Sequence, residues 1–369
     1  MSIKTKDNIQ LDALDVILKH TRVGVGITVG GGKTLLGLKH MKILNKKYFG
    51  VKALVVAPKK TIIQSWIDEA KKHDYTELLE QITFSTYLSL SKQDLDFDVI
   101  YLDECHSLKH SHDLWLNKHK GSIIGLTGTP PKRKGGEKYQ MVSKYCPIKY
   151  TYLTNEAVND KILNDYKITV HLLSLDSSMS MKMEQGAKTW MTSEVKTYDY
   201  WTRRVESAVI QKDLQRSSIM RMKAMQDFPS KEVYTKALFL EITTTKCIVF
   251  ANTQKQADRL CKHSYHSKNS DSESNLNDFK EGKINKLSCV LQLSEGVNIP
   301  NLKEGIIMHS YGNNRKSSQR IGRLLRLNPD DIAHAHILCY KNTIDEKWVN
   351  AALADYDKNK IEWYDTESI

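Results

Sequence analysis

Several features that would indicate a secreted, disulfide-bonded or membrane protein are missing from this sequence. Its 369 residues contain only six cysteines and no C-x-x-C pair, so neither a disulfide framework nor a cysteine-based zinc site is expected. It has no run of eighteen apolar residues, and its first residues contain no apolar stretch that could act as a secretory signal. These absences favour a cytoplasmic protein (in the host cytoplasm, for a phage-encoded chain) with no membrane partner.

Charge of one sign is in excess. Lys and Arg total 55 against 43 Asp and Glu, which gives a formal net charge of +12 at pH 7. Such an excess favours a polyanionic partner through long-range attraction and the release of counterions. Nucleic acid is therefore the first partner to consider.

Short apolar runs alternate with helical patterns along both halves of the chain. In the first half, the first apolar runs are residues 24–29 and 53–58. The pattern starts again in the second half with an apolar run at residues 168–176. Continuous apolar strands that alternate with helices predict parallel sheets with helices on both faces. We therefore predict an α/β fold with two domains, residues 1–150 and 151–369.

Residues from about 178 to 230 differ from both halves. They are rich in Met, Lys, Arg and Tyr, with helical periodicity and no strand signal. We interpret them as a helical insertion in the second domain, which could offer a surface to protein partners.

A glycine-rich loop follows the first predicted strand and opens a predicted helix. It consists of Gly30, Gly31, Gly32, Lys33 and Thr34. Glycines let backbone N–H groups approach phosphate oxygens, and the helix N-terminus adds a favourable dipole. Lys33 would contact the terminal phosphates and the Thr34 hydroxyl would bind Mg²⁺. The loop departs from the usual spacing at Ile27, where glycine or alanine is common, and it still predicts ATP with Mg²⁺ as the ligand.

Two acidic residues end an apolar run further along the chain. Asp103 and Glu104 fall at the predicted carboxyl end of a strand, the edge where open parallel sheets bind ligands. An aspartate there can hold magnesium, and an adjacent glutamate can polarise the attacking water. The alternative, that both are first-turn acids of the next helix, leaves the phosphate loop without its metal partner.

With these motifs present, the sequence resembles the superfamily 2 DExH-box helicases and translocases over nearly its whole length. Residues 103–106 read D-E-C-H, and residues 126–130 read L-T-G-T-P, a form of motif III common to Swi/Snf-type translocases and restriction-enzyme motors. Residues 319–326 read Q-R-I-G-R-L-L-R, similar to motif VI. The resemblance implies two tandem RecA-like domains that hydrolyse ATP between them.

The resemblance assigns further residues to the nucleotide. Gln10 falls where the family reads adenine with a glutamine, and Gly296 and Asn298 belong to motif V, assigned here to nucleotide binding. Arg323 and Arg326 are three positions apart, so they share one face of a predicted helix and could stabilise charge on the transferring phosphoryl group. The predicted catalytic residues are Lys33, Asp103, Glu104, Gln319, Arg323 and Arg326.

Contacts to nucleic acid follow from the same resemblance. Residues 57–61 look like motif Ia and residues 85–87 like motif Ib, both of which track the backbone in the family, and residues 249–253 match motif IV. Such contacts go mainly to phosphate and sugar, so little sequence specificity is expected. The predicted contact residues are Lys59, Lys60, Thr61, Ser85, Thr86, Asn252 and Thr253. The residues predicted to couple hydrolysis to movement are His106, Thr127 and Thr129.

The prediction is an ATP-dependent helicase or translocase, with DNA as the preferred track and a monomer as the expected state. Compact motors of this kind occur in phages and mobile elements, which suggests a role in replication, recombination or branch migration. Two alternatives remain open. RNA could be the track, because both polymers share the backbone that these motifs grip. The fold could also serve as a non-catalytic, nucleotide-gated clamp, against which the intact Lys33 and Asp103 argue.

One short segment offers three candidate metal ligands. Cys261, His263 and His266 fall within six positions, but no fourth ligand lies at a suitable spacing. We interpret them as structural residues.

Overall fold

The computed structural model describes residues 4–28, 30–48, 50–185, 188–290, 299–310, 331–354 and 356–366. The chain divides into two compact units, with the division after Asn164. Each unit contains its own large parallel sheet, which confirms the predicted α/β fold. No helix among the described residues has the length and apolar character needed to cross a bilayer.

The first unit contains a parallel sheet of six strands. They are β1 (Arg22–Ile27), β2 (Ala53–Ala57), β3 (Ile82–Thr86), β4 (Val99–Asp103), β5 (Ser122–Thr127) and β6 (Ile148–Tyr152). Their order in the sheet is β3-β2-β4-β5-β1-β6. Because every pair is parallel, the carboxyl ends of all six strands lie along one edge.

Helices cover both faces of this sheet. They are α1 (Lys6–Leu18), α2 (Lys33–Lys47), α3 (Lys60–Lys72), α4 (Asp113–Lys118), α5 (Glu137–Tyr145) and α6 (Thr154–Asn159). Alternate residues of β2 enter different cores: Val55 packs in a cluster with Trp66, whereas Leu54 packs in a cluster with Tyr145. Burial on both faces explains why the strands of this unit are almost continuously apolar.

The second unit contains a parallel sheet of seven strands. They are β7 (Asp165–Leu173), β10 (Lys246–Phe250), β11 (Ser264–Tyr265), β12 (Lys286–Cys289), β13 (Leu302–Ile307), β14 (Ile332–Tyr340) and β15 (Ile361–Asp365), in the order β11-β12-β10-β13-β14-β7-β15. Its helices are α7 (Glu194–Glu206), α8 (Gln211–Asp227), α9 (Pro229–Glu241), α10 (Gln254–Leu260), α11 (Ser272–Glu281) and α12 (Ile344–Leu353).

The segment predicted as a purely helical insertion begins with strands instead. Met181–Gln185 (β8) pairs antiparallel with Lys188–Thr192 (β9), and only then do α7 and α8 follow. Lysine and glutamate are depleted in strands, and they occupy alternate positions of β8. The sequence pattern that would predict this strand is therefore weak. The prediction of helices without strands was therefore wrong for residues 181–185 and 188–192.

The boundary between the units lies further along the chain than residue 150. Strand β6 spans that position and pairs with β1, so it belongs to the first sheet. Its residues alternate between exposed and half-buried positions before Tyr152, a pattern that lacks the continuous apolar run of the central strands. The first unit then continues through α6 to Asn164.

Candidate functional site

The phosphate loop lies between β1 and α2. Gly30 and Gly32 have φ angles of +87° and +79°, in the left-handed region that residues with a side chain rarely adopt. Gly32 directly precedes Lys33, the first residue of α2. The helix N-terminus therefore opens at the loop, where backbone N–H groups and the helix dipole favour a bound phosphate.

Gln10 on α1 lies against this loop. Its side chain is buried, and its Nε2 donates to the backbone oxygen of Gly32 over 3.4 Å. The Nζ of Lys39 donates to Gln10 Oε1 at 2.5 Å, so the amide is held from two sides. A Cβ on Gly32 would lie 2.2 Å from Gln10 Nε2, so a side chain there would displace the Gln10 amide from this position. The structure thus brings the predicted adenine-reading residue to the loop.

Asp103, the last residue of β4, is only 4% exposed. The indole N–H of Trp66 donates to its Oδ2 at 2.8 Å, and the backbone N–H of Glu104 donates to its Oδ1 at 2.9 Å. Burial and the charge of Glu104 raise the pKa of Asp103 to about 6, although Trp66 and Lys33 oppose that rise. Asp103 is therefore ionised at neutral pH and held in one orientation.

These residues fit a magnesium-bound nucleotide. Strands β1 and β4 both flank β5, so the phosphate loop after β1 and Asp103 at the end of β4 lie at strand ends that are about 10 Å apart. Each Asp103 oxygen accepts one hydrogen bond and keeps a lone pair for a metal ion. The Thr34 hydroxyl on α2 adds a second oxygen donor, and Mg²⁺ prefers oxygen ligands.

Glu104 belongs to a compact polar cluster that joins the ends of β4 and β5. Its φ of 48° is a left-handed conformation that costs a residue with a side chain about 1–3 kcal/mol. Its Oε2 lies 3.2 Å from His106 Nδ1, which in turn lies 2.7 Å from Thr127 Oγ1. The backbone N–H of Thr129 also donates to Thr127 Oγ1, at 3.1 Å. The three predicted coupling residues therefore contact one another, and two of them, His106 and Thr127, also contact Glu104.

Two predicted nucleic-acid motifs meet at neighbouring strand ends. In the pairing of β2 with β3, Ala57 lies opposite Thr86, so the residues after β2 are adjacent to motif Ib. Lys59 and Lys60 are exposed at the start of α3, of which Thr61 is the second residue. Ser85, by contrast, is 5% exposed, so its side chain lies mainly inside the unit.

In the second unit, Asn252 and Thr253 follow β10. Thr253 is exposed and caps the N-terminus of α10, where its Oγ1 accepts a hydrogen bond from the backbone N–H of Gln256 at 3.2 Å. Asn252 Nδ2 donates to Gln226 Oε1 at 2.8 Å. Both residues therefore have local structural contacts at a strand end.

Two protein families match the chain in tandem. The type III restriction enzyme res subunit family matches residues 3–132, and the helicase conserved C-terminal domain matches residues 230–328. The first match contains the phosphate loop and Asp103, and the second extends through Arg326. The chain belongs to the superfamily 2 helicases. It is accordingly an ATP-hydrolysing enzyme, as the sequence predicted.

Individual relatives agree with this assignment. The chain is 24% identical over 359 residues to the DNA 3′-5′ translocase XPB2 of Sulfurisphaera tokodaii, covering 87% of this chain and 80% of that protein. Among solved structures, it is similar in fold to an HsdR fragment of a type I restriction enzyme from Vibrio vulnificus, with a TM-score of 0.64, 17% identity, and 98% of this chain and 68% of that chain covered.

A second solved structure matches only part of a larger protein. The DNA-bound type ISP restriction-modification enzyme LlaBIII matches all of this chain, with a TM-score of 0.63 and 14% identity. The match covers 32% of LlaBIII, so this helicase spans about a third of that protein's length. Both structural likenesses show two RecA-like domains.

Some predicted site residues lie outside the described residues. Positions 291–298 include Gly296 and Asn298, and positions 311–330 include the three predicted catalytic residues of motif VI. Those three are Gln319, Arg323 and Arg326. Their roles in this helicase stay predictions.

Sequence reasoning missed three residues that position the site. Trp66 donates to Asp103, Lys39 holds Gln10, and the Tyr87 hydroxyl donates to the backbone oxygen of Asp103 at 2.8 Å. Each makes a contact between elements that are distant in sequence. Trp66 offered one signal, because a buried indole N–H needs an acceptor and α3 packs beside the acidic strand.

Proposed function

We propose that this superfamily 2 helicase is a DNA translocase that uses ATP hydrolysis to move along the phosphate backbone. The observation that carries the proposal is the cluster of Glu104, His106 and Thr127, which lies beside Asp103 at the edge that also holds the phosphate loop. The XPB2 relative is named a DNA translocase and LlaBIII is bound to DNA, which favours DNA as the track.

In this proposal, the first unit binds the nucleotide through backbone N–H groups of the loop and the Lys33 ammonium. Thr34 and Asp103 would hold Mg²⁺, which supplies charge neutralisation on the phosphates. Glu104 accepts a proton from the attacking water and orients it. Gln10 positions the adenine, and Lys39 restrains the Gln10 amide.

Coupling would pass through His106. It contacts both Glu104 and Thr127, so a displacement of the loop after β5 changes the environment of the catalytic carboxylate. Lys59 and Lys60 follow β2, the strand next to β4, so DNA phosphates bound there would act on a neighbouring strand end. The proposal also assigns Gln319, Arg323 and Arg326 to catalysis and Gly296 and Asn298 to nucleotide binding.

The deciding experiment measures steady-state ATP hydrolysis without nucleic acid and then with single-stranded DNA, duplex DNA, a branched junction or RNA. We expect strong stimulation by a DNA form and its loss in Lys33→Ala. Lys46→Ala, an exposed lysine in the last turn of the same helix, is the matched control and should behave as wild type.

Movement is tested separately by displacement of a triplex-forming strand from duplex DNA. Displacement that requires ATP and fails in Lys33→Ala supports a translocase, with a role in replication, recombination or branch migration to be examined next. Equal or greater stimulation by RNA would assign the track to RNA. Binding of DNA without any hydrolysis would replace the motor by a nucleotide-gated clamp.

A further inference from the structure

One face of the second sheet carries a cluster of histidines with a glutamate. Glu304 on β13 is paired with His334 on the neighbouring strand β14. His336 lies two residues further along β14, and the two-residue period of a strand puts it on the same face as His334. The register of two parallel strands therefore brings Glu304 next to two histidines that are about thirty residues away in sequence.

The three side chains direct ligand atoms at a common point. Glu304 Oε2 lies 3.0 Å from His336 Nε2 and 3.4 Å from His334 Nδ1, and all three ligand atoms fall within 4.8 Å of one another. Zinc bonds of about 2.0–2.1 Å in a tetrahedron separate neighbouring ligands by about 3.3 Å. We propose that Glu304, His334 and His336 form a Zn²⁺ site on the second unit.

The outer contacts of both histidines match those of metal ligands. His334 Nε2 lies 2.9 Å from Thr169 Oγ1, and His336 Nδ1 lies 3.0 Å from His171 Nε2. Ligating histidines usually donate their second N–H to such a partner, which fixes the tautomer and the ring orientation. His171 accepts from His336 and places its own Nδ1 2.8 Å from the Tyr234 hydroxyl, so the chain of donors and acceptors is consistent.

The site is open enough for an ion and a water ligand to enter. The side chains of His334 and Glu304 are 25% and 19% exposed, whereas that of His336 is 8% exposed. Two imidazole nitrogens beside one carboxylate oxygen favour Zn²⁺ over Mg²⁺, which prefers oxygen ligands. Its ligands lie inside β13 and β14, whereas the phosphate loop and Asp103 lie at strand ends of the first unit.

The ion would join two strands that flank a functional segment. Residues 308–331 connect β13 to β14 in sequence and include Arg323 and Arg326. A metal bound by one ligand from β13 and two from β14 would fix the spacing of these strands. We therefore expect Zn²⁺ to stabilise the second unit.

The test titrates Zn²⁺ by calorimetry into the untagged full-length chain, stripped with EDTA and free of nucleotide. We expect one saturable equivalent that excess Mg²⁺ does not displace, a tetrahedral visible spectrum with Co²⁺, and a higher melting temperature with Zn²⁺. Absence of an equimolar Zn²⁺ site would overturn the proposal.

Variants assign the ion to the cluster. His334→Gln and Glu304→Gln should each weaken Zn²⁺ binding at least about tenfold. The matched control is His263→Gln, a half-buried histidine of the same unit that contacts Asn275 at 3.2 Å. Circular dichroism in EDTA checks folding, and Thr169→Val, which removes only an outer contact, should also weaken binding. Wild-type affinity in folded His334→Gln or Glu304→Gln would contradict the site.

Discussion

Glutamate and histidine meet in both units, but on different kinds of backbone. In the first unit, Glu104 and His106 follow the end of β4, and both lie near Thr127 from the end of β5. In the second unit, Glu304 and His334 are partners inside two paired strands. Residues in loops after strands can change position between states, whereas paired strands are held by their ladder of hydrogen bonds.

The two units shift the pKa of a carboxyl group on the sheet in opposite directions. Burial raises the pKa of both Asp103 and Glu304. Near Asp103 the charge of Glu104 adds to that rise, and the pKa reaches about 6. Near Glu304 two histidines reverse it, and the pKa falls to about 2. Burial is the largest cause of the raised pKa of Asp103, whereas hydrogen bonds from partner side chains overcome burial at Glu304, so partners on a parallel sheet can reverse the effect of burial on a carboxyl group.

The largest difference between the two units is expected when one glutamate in each of them is neutralised. Glu104→Gln should lower the kcat of ATP hydrolysis about 10²–10⁴-fold, because it removes the general base. Glu304→Gln, the same change in the second unit, should leave turnover at the wild-type level. Hydrolysis with and without DNA and binding of a fluorescent ATP analogue are the measurements. An equal loss in both variants would show that the two clusters are not separate in function.

A smaller effect is expected from the tryptophan that holds Asp103. Trp66→Phe removes an N–H donor to a charged acceptor and should cost about 1.5–3 kcal/mol of unfolding free energy. Trp115→Phe removes a donor to the backbone oxygen of Gln93 and should cost about 0.5–1.5 kcal/mol. Urea unfolding measures both, and only Trp66→Phe should lower kcat/KM for ATP. A comparable loss of kcat/KM in Trp115→Phe would indicate a general packing effect.

The sequence predicted the central strands of both sheets because they are continuous apolar runs. It missed β15, whose five residues are all half-buried or exposed, and it missed the β8–β9 hairpin, whose strand signal is diluted by charged residues. The strength of the signal thus follows burial. Elements at the margin of a unit bury less apolar surface and leave less trace in the pattern.

The same limit applies to the sites. Lys33 and Asp103 could be found because each stands in a short contiguous motif next to a predicted strand. Trp66 acts on Asp103 from a different helix, and Glu304 meets His334 only through strand register. Contacts of this kind depend on tertiary structure, and a single sequence shows only fragments of them, such as His334 and His336 at alternate positions.

His40 extends the comparison to a buried histidine whose partner is a tyrosine hydroxyl instead of a carboxylate. It is buried on α2 with Nδ1 2.8 Å from the Tyr101 hydroxyl, and burial lowers its pKa from about 6.5 to about 4. The unfolded chain gains a proton near pH 6.5, whereas the folded chain does so only near pH 4. Stability that is present above pH 6.5 is therefore lost as the pH falls through this window.

His40→Gln should remove about 1 kcal/mol of the stability difference between pH 7 and pH 5.5, a value set by about 1.4 kcal/mol per pKa unit. His110→Gln, an exposed histidine of the same unit, should leave the pH dependence as it is in the wild type. Urea midpoints at the two pH values provide the measurement. If His40→Gln kept the full wild-type dependence, the acid sensitivity of the first unit would have to arise from its other titratable groups, and Tyr101 would hold a histidine that can be protonated without cost.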